Sequence, residues 1–278
     1  MTNHVAGKSI VITGAGGGFG RLVAHKAAAL GAAITCGDID IAAAQATVDA
    51  VTSAGGAAIA VETDVRSLSA VKALVAAAVA AHGGIDVMIN NAGIMPLAFF
   101  SDHEAAYDAW ERCIDINIKG VLNGMVAAYD PMIAAGHGQI VNLSSIYGNF
   151  PVIGAAVYGA SKSAVNFLSE SLRVESRGKI KVTTIKPTGV PATGLGGSVV
   201  NQAASIGILA HNTPDFMDMV GQMGAGTFPA ERLNPDAMDY ASLAPEHIAD
   251  AIIHAINQPL GVSISEMTVR AAGDHFVL

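Results

Sequence analysis

Short apolar runs rich in Val, Ile and Ala alternate with longer Ala-rich stretches of helical periodicity from Lys8 to about Pro187. Strands that are apolar on both faces, each followed by a helix, are typical of a parallel sheet with helices on both sides. We therefore predict an α/β fold with a doubly wound, mostly parallel sheet. The predicted strands are Lys8–Thr13, Ala32–Gly37, Ala57–Glu62, Ile85–Asn90, Gln139–Ser144 and Lys181–Lys186. The predicted helices are Phe19–Leu30, Ile41–Ala54, Leu68–His82, Ala105–Ala135 and Ala155–Ser176.

The alternation stops at Thr188 and resumes after about Ala241. The segment between them is rich in Gly, Met and Pro and has two weak helical patches. A length of 278 residues suits one large α/β domain. We predict a single domain, residues 1–278, in which residues 188–241 form an inserted substrate-binding loop or lid. A last helix at Pro245–Ile256 and a strand at Ser265–Arg270 are expected to complete the sheet.

Composition and charge exclude several function classes. The formal net charge is −8 and no cluster of Lys or Arg occurs, so nucleic acid is not an expected partner. The longest aliphatic stretches, such as Leu74–Ala81, are far shorter than the roughly 20 residues of a membrane span. No secretory signal is visible, and we expect a cytoplasmic protein that makes no membrane contact. The residues Ser101–Glu104 include potential metal ligands but lack HExxH-type spacing, so no metal is expected.

A glycine-rich turn follows the first predicted strand. Gly14, Gly18 and Gly20 have the spacing T-G-x-x-x-G-x-G between that strand and the first helix. In a βαβ unit, such a turn and the helix N-terminus offer free backbone N–H groups, and glycines allow a pyrophosphate to approach them. The spacing is a variant of the dinucleotide fingerprint of Rossmann-like folds and predicts a dinucleotide cofactor.

The second predicted strand leads into Asp38. This position is about where an acidic side chain accepts hydrogen bonds from the adenosine ribose hydroxyls. A carboxylate there would repel a 2′-phosphate, and neither Gly17 nor Ile39 supplies a compensating cation. We therefore predict NAD rather than NADP as the cofactor.

Four further motifs follow along the chain. They are "NNAG" at Asn90–Gly93, "INIKG" with Asn117, "IVNLSS" ending at Ser145, and "YGASK" at Tyr158–Lys162. Together with the glycine-rich turn, and in this order and spacing, these motifs resemble the short-chain dehydrogenase/reductase family. The resemblance extends from Lys8 to Pro187.

The resemblance implies hydride transfer, and the residues support that reading. Tyr158 and Lys162 are four residues apart and share one helix face. A nearby ammonium favours the phenolate, so Tyr158 is the expected general acid and base. Ser145, at the carboxyl end of the fifth strand, is the expected donor to the substrate oxygen. By resemblance, Lys162 also holds the nicotinamide ribose and Asn117 supports a water through which protons leave.

The resemblance also implies a set of cofactor-binding residues. These are Gly14, Gly18, Phe19, Gly20, Asp38, Ile39, Asp64, Val65, Asn90, Ala92, Gly93, Tyr158, Lys162, Pro187 and Val190. After the sixth strand the sequence departs from the family pattern P-G-x-V-x-T. It reads "PTGVPAT", with Thr188 in place of the glycine and Thr193 one position late. This loop normally meets the nicotinamide amide, so contacts near Val190 and from Thr193 both stay open.

The segment that corresponds to the family's substrate lid has no Lys or Arg between Pro187 and Glu231. It therefore offers no ion clamp for a phosphate or carboxylate, but many aliphatic, Met and Phe side chains. The expected substrate is a hydrophobic ketone or secondary alcohol. The predicted substrate-binding residues are Met95, Ser145, Tyr147, Phe150 and Tyr158.

The predicted function is that of an NAD-dependent short-chain alcohol dehydrogenase or ketone reductase. One alternative is a 3-oxoacyl thioester reductase, although an acidic chain with an uncharged lid suits an acidic acyl-carrier partner poorly. Another is a catalytically silent NAD(H)-sensing protein, against which the intact Ser145, Tyr158 and Lys162 count. The resemblance further implies a homotetramer or dimer built on the helices Ala105–Ala135 and Ala155–Ser176.

Overall fold

Parallel strands form one sheet in the computed structural model, which describes residues 2–191 and 193–277. In these residues the strands are β1 (Ser9–Thr13), β2 (Ala33–Asp38), β3 (Ala57–Glu62), β4 (Val87–Asn90), β5 (Gly138–Leu143), β6 (Ile180–Pro187) and β7 (Glu266–Val269). Their order is β3-β2-β1-β4-β5-β6-β7, and neighbouring strands are parallel throughout. The order in which strands are added to the sheet reverses between β1 and β4. Open α/β sheets bind ligands at the carboxyl ends of the strands at such a switch point. The predicted doubly wound, single-domain α/β fold is confirmed.

Helices cover both faces of the sheet. They are α1 (Gly18–Ala29), α2 (Ile41–Ser53), α3 (Leu68–His82), α4 (His103–Cys113), α5 (Gly120–Ala135), α6 (Ala156–Glu175), α7 (Thr213–Ala225) and α8 (Pro245–Ile256). Ile10 and Ile12 of β1 belong to the core cluster that includes α1 and α8, whereas Val11 belongs to the cluster that includes α3, α5 and α6. Because both faces are buried, most positions of such a strand carry apolar side chains, which explains the predominantly apolar runs. Within the described residues we find no helix with the length and apolar character that a membrane crossing requires.

The predicted helix Ala105–Ala135 is divided in the structure. A π-helical stretch, Ile114–Lys119, joins α4 to α5. Asn117 in this stretch is fully buried, and its Nδ2 donates to Ile94 O at 2.9 Å while its Oδ1 accepts from Ile94 N at 2.9 Å. These hydrogen bonds tie the widened turn to the loop after β4. The predicted helix is therefore helical throughout, and its π-helical turn lies at a predicted site residue, where such turns often occur.

The segment between β6 and α8 contains α7 and several short 3₁₀ turns in its described part. The turns are Gly194–Ser198, Gln202–Ile208, Ala210–Asn212 and Ala230–Leu233. Val200 N and Asn201 N donate to Leu97 O at 3.1 and 3.0 Å, which attaches the segment to the loop after β4. Helix α8 has the predicted bounds, and β7 lies within the predicted strand.

Candidate active site

The glycine-rich turn connects β1 to α1. Gly14 and Gly18 have φ values of +66° and +48°, in the left-handed region that favours glycine. A Cβ on Gly20 would clash with the carbonyl oxygen of Gly14, and a Cβ on Gly14 would lie 3.0 Å from Ala92 Cα. By contrast, a Cβ on Gly17 or Gly18 would meet no described atom within 4 Å. The backbone of these two residues therefore faces open space at the N-terminus of α1, where free N–H groups attract anions.

Asp38 ends β2 beside this turn. Its Oδ2 accepts from Gly16 N at 2.8 Å, and its Oδ1 accepts from Asp40 N at 3.0 Å. The side chain is half-buried, and each carboxylate oxygen has a second lone pair for another donor. Ile39, the next residue, is 62% exposed and presents an apolar surface at the same corner.

Arg21 lies beside the glycine-rich turn and Asp38, which the sequence does not indicate. Its Nη2 donates to Gly16 O, and its Nε donates to Thr47 Oγ1 at 3.3 Å. Thr47, which is fully buried on α2, in turn donates from Oγ1 to Ala15 O at 2.8 Å. Sequence reasoning considered a cation only at positions 17 and 39 and missed Arg21, because its approach depends on how α1 packs against α2. Its position directly after Gly20 is the signal that could have identified it.

This corner of the fold fits a dinucleotide. The open glycine backbone and the N-terminus of α1 suit a pyrophosphate, and the Asp38 carboxylate suits ribose hydroxyls. Phe19 lies in the first turn of α1, and its side chain packs partly buried against the core. Its main chain belongs to the N-terminal turn of the helix, next to the glycine-rich turn.

Asp64 and Val65 follow β3 at the same edge. The Arg66 side chain hydrogen-bonds the Asp64 carboxylate and holds the pKa of Asp64 below its usual range. Val65 is buried, and a Cβ on Gly120 would lie 2.8 Å from its Cγ2. The Asp64 carboxylate is thus already paired, so the contact of this pair with a cofactor stays a prediction.

The loop Asn90–Gly93 follows β4. Asn90 is buried, and its Nδ2 donates to Asn142 Oδ1 at 2.8 Å, so its side chain faces the sheet interior. Its main chain is what this loop can offer a cofactor at this position, and that contact stays a prediction. Asn91, which sequence reasoning did not single out, donates from Nδ2 to Gly14 O at 3.0 Å. Asn91 therefore connects this loop to the glycine-rich turn.

Three of the predicted catalytic side chains meet at the carboxyl end of β5. Tyr158, Lys162 and Ser145 are only 3%, 5% and 6% exposed. The Ser145 side chain hydrogen-bonds the Tyr158 phenol. Lys162 Nζ lies 5.8 Å from the centre of the Tyr158 ring and donates to Leu143 O at 2.8 Å. A hydroxyl, a phenol and an amine therefore share one small buried space.

Burial sets the pKa values of these groups. It raises the pKa of Tyr158 above that of free tyrosine, although the hydrogen bond from Ser145 opposes the rise. Burial also lowers the pKa of Lys162 to about 8. Desolvation outweighs the opposing hydrogen bond, and the Lys162 amine is directed at Leu143 O, so the expectation that Lys162 favours the Tyr158 phenolate stays a prediction. The phenol is thus in the protonated form that can donate to a carbonyl oxygen, beside a lysine that titrates near neutral pH.

Asn117 lies behind this group. Its Nδ2 also donates to Ser161 Oγ at 3.1 Å and to Cys113 Sγ at 3.3 Å. A Cβ on Gly93 would lie 3.2 Å from Asn117 Oδ1 and 3.6 Å from Lys162 Nζ, so the loop after β4 passes directly beside both. The Asn117 side chain is a fixed connector within the site, and its support of a water stays a prediction.

Besides Ser145, the structure brings two of the predicted substrate-binding residues close to Tyr158. The Tyr147 ring lies 5.5 Å from the Tyr158 ring, edge to face. Met95 packs partly buried in the same apolar cluster, and its N–H donates to Ser198 Oγ at 2.7 Å. Phe150 is 62% exposed and lies outside this cluster, so its side chain does not line the site in this structure.

The loop after β6 carries the departure from the family pattern. Pro187 ends β6, and Val190 packs partly buried against the core cluster that includes α1. Thr188 is buried, and its Oγ1 has no hydrogen-bond partner among residues 2–191 and 193–277. An unpaired buried hydroxyl costs about 1–3 kcal/mol, so a polar ligand group would be stabilised beside it. Position 192 lies outside the described residues.

A doubly wound parallel sheet with a glycine-rich turn after β1 and a buried Tyr–Lys pair at the same edge defines a class of α/β oxidoreductases that bind nicotinamide cofactors. A family model described as short chain dehydrogenase matches residues 8–204. The chain belongs to the short-chain dehydrogenase family.

Known relatives point in the same direction. A 2,5-dichloro-2,5-cyclohexadiene-1,4-diol dehydrogenase of Sphingobium indicum is 35% identical over 68% of this chain and 76% of its own. A 3beta-hydroxysteroid dehydrogenase of Eggerthella lenta is 38% identical over 67% of this chain and 72% of its own. Among solved structures, a metagenomic short-chain oxidoreductase in complex with NADP superposes with a TM-score of 0.72 and 27% identity, covering 96% of this chain and 98% of that one.

Proposed function

We propose that the protein is an NAD-dependent oxidoreductase that interconverts a hydrophobic secondary alcohol and its ketone. The observation that carries this proposal is the burial of Tyr158, Lys162 and Ser145 in one small space. This space lies at the carboxyl ends of the strands, where the glycine-rich turn also lies. Buried ionisable groups are costly to a fold and concentrate at functional sites.

The side chains have complementary roles in this reaction. When bound, the nicotinamide ring accepts hydride from the carbinol carbon. The Tyr158 phenolate oxygen takes the hydroxyl proton as the C=O bond forms, and in the reverse direction the phenol returns a proton to the carbonyl oxygen. Ser145 donates a hydrogen bond to the same substrate oxygen. Lys162 holds the nicotinamide ribose, as the family resemblance implies, and keeps a positive charge near the phenolate.

The preference for NAD rests on Asp38. Its carboxylate is fixed by Gly16 N and Asp40 N at the corner that suits the adenosine ribose, where a 2′-phosphate would meet a negative charge. Arg21 is engaged with Gly16 O and Thr47 Oγ1 and so braces the turn. The similar metagenomic oxidoreductase is in complex with NADP, so the preference of this protein for NAD should be measured directly.

The substrate class follows from the apolar walls. Met95, Tyr147 and Tyr158 belong to one apolar cluster, and the segment above them has no Lys or Arg before Arg232. The names of both curated relatives specify an alcohol carried on a ring system. We place the substrate of this protein among cyclic apolar secondary alcohols.

The test is the initial rate of NADH formation from NAD with a panel of cyclic secondary alcohols, with NADP and polyols as controls. NAD-linked turnover of the bulky apolar alcohols supports the proposal. Turnover only with 3-oxoacyl thioesters identifies a thioester reductase, and NADH binding without any turnover identifies an NAD(H)-sensing protein.

We also propose that the protein is a homotetramer or dimer in the cytoplasm. Apolar side chains stay exposed along the long helices α5 and α6, and they are Leu122, Val126, Tyr129, Phe167 and Val174. Phe167 is the most exposed of them at 77%. Apolar surface at this density is typical of a face that is covered by another copy.

A further inference from the structure

The chain after β7, residues 270–277, has no regular secondary structure yet is tightly held. Gly273 N donates to Tyr240 O at 2.8 Å. Asp274 Oδ1 accepts from Arg270 Nη2 at 2.6 Å and from Phe276 N at 3.2 Å, and the same guanidinium donates to Phe276 O. The Asp274 side chain is 4% exposed, whereas that of Arg270 is 38% exposed, so the ion pair lies at the protein surface with its carboxylate side buried. These contacts hold the main chain at and before Phe276 in place.

The Phe276 ring lies directly on Gly189. A Cβ on Gly189 would overlap ring atoms of Phe276, so only glycine permits this contact. The φ of Gly189 is outside the left-handed region, which means that its conformation does not itself require glycine. The missing side chain at position 189 is therefore explained by the ring of Phe276.

The same ring also packs on the segment above the site. Its centre lies 6.4 Å from that of Phe216 on α7, and it packs in one apolar cluster with Ile208 and Ile146. Main-chain contacts run in parallel, since Val277 N donates to Ile208 O at 3.2 Å. Ile146 directly follows Ser145. Phe276 therefore joins three parts of the chain, namely the loop Pro187–Val190, the lid residues 204–216 and the turn that carries Ser145.

We propose that Phe276 is a positioning residue that fixes lid residues 204–216 against the loop Pro187–Val190 and so sets the shape of the substrate pocket. This inference rests on the proposed function of the site. Phe276 contacts Gly189, Phe216, Ile146 and Ile208 rather than the Tyr158–Lys162 pair, so it affects how tightly substrate is held more than the chemical step. Loss of the ring leaves the lid loosely placed, and substrate binding must then order it.

Kinetics of Phe276→Ala test the inference. The KM for a cyclic alcohol rises about tenfold while kcat changes less than about threefold, because substrate binding then includes ordering of the lid. Phe276→Leu, which keeps an apolar group, restores part of the affinity. Phe228→Ala is the matched control, since Phe228 is likewise a half-buried phenylalanine and lies within the lid, but its ring contacts Arg232 instead. An equal loss in Phe228→Ala, or a fall in kcat at unchanged KM, overturns the inference.

A double-mutant cycle tests the contact itself. Gly189→Ala alone raises KM because the new Cβ collides with the ring, whereas the same change in the Phe276→Ala background adds little. Additive effects of the two substitutions contradict the proposed contact.

Hydrogen exchange gives a readout that does not need turnover. In Phe276→Ala, amides of residues 204–216 and 186–190 lose protection about tenfold or more, while those of β1 to β4 are unchanged. If the wild-type protein oxidises no alcohol, the proposed function fails and this exchange result alone decides the role of Phe276. Unchanged exchange in both segments overturns the role whether or not the protein is an alcohol dehydrogenase.

Discussion

Replacing Lys162 with methionine tests whether the buried lysine lowers the stability of the fold while it is needed for turnover. Lys162 is 5% exposed, and burial lowers its pKa from 10.5 to about 8. Below pH 8 the amine is charged in both the folded and the unfolded chain, so the folded state carries the whole cost of burying it. Since a tenfold change in a protonation equilibrium corresponds to about 1.4 kcal/mol, this cost is about 3 kcal/mol.

Methionine has a similar length and no charge, but it leaves Leu143 O without the donor that Lys162 Nζ provides at 2.8 Å. An unpaired buried carbonyl costs about 1 kcal/mol. Lys162→Met therefore raises the free energy of unfolding at neutral pH by about 2 kcal/mol, which corresponds to a rise in Tm of roughly 4–8 °C. Turnover of alcohol falls at the same time, by about 100-fold or more.

The gain in stability depends on pH with a definite sign. Between pH 8 and 10.5 the folded wild-type chain releases the Lys162 proton while the unfolded chain keeps it, so wild-type stability rises relative to the variant. The advantage of Lys162→Met is therefore complete below pH 8 and is lost toward pH 10.5. Thermal unfolding followed by circular dichroism at about pH 7 and about pH 9.5 measures this difference.

Lys119→Met is the control, because it removes an exposed lysine that pairs with Asp115. It should give no stabilisation at either pH. A Lys162→Met protein that is less stable than wild type at neutral pH, or whose advantage is the same at both pH values, refutes the reasoning.

Three further substitutions test other parts of the account. Asp38→Asn keeps an acceptor for Gly16 N but removes the charge, so the ratio of NADH to NADPH affinity, measured by fluorescence titration, falls about tenfold or more. Thr188→Val removes a buried hydroxyl that has no partner in the described chain, so the free energy of unfolding rises by about 1 kcal/mol in denaturant titrations, while NADH binds more weakly. Phe167→Asp places a charge on an apolar helix face that is 77% exposed, so light scattering shows a smaller assembly than that of the wild type.

A specific result would contradict each of these three predictions. Asp40→Asn is the control for Asp38→Asn, since Asp40 caps α2 by accepting from Ala43 N, and an equal change in both variants removes the special role of Asp38. A Thr188→Val protein of lower stability shows that the hydroxyl has a partner. An unchanged mass of Phe167→Asp places any interface on another face.

The fold was predictable because the signal is repeated along the chain. Each buried strand is a short continuous apolar run, and each helix has its own period, so local pattern alone defines the alternation and the doubly wound sheet. The π-helical turn at Asn117 was not predictable in this way. It depends on two hydrogen bonds to Ile94, which is 23 residues away in the sequence.

Residues of the site differ in the same way in how far the sequence predicts them. Tyr158, Lys162 and Ser145 were predictable because their motifs resemble those of a known family, and because their spacing places them on one helix and at one strand end. The brace formed by Arg21, the inward turn of Asn90 and the exposure of Phe150 each depend on how separate elements pack. The contact of Phe276 with Gly189 joins residues 87 positions apart, as their numbers show, and no local pattern contains it.

The central claim is hydride transfer from a cyclic secondary alcohol with Tyr158 as the general acid and base. The direct measurement incubates the protein with NAD and an alcohol that carries deuterium on the carbinol carbon, then determines deuterium in the NADH by mass spectrometry. The account predicts one deuterium per NADH formed with the wild type, and about 10²- to 10⁴-fold slower formation with Tyr158→Phe, which still binds NADH. NADH without deuterium, or an undiminished rate in Tyr158→Phe, would contradict it.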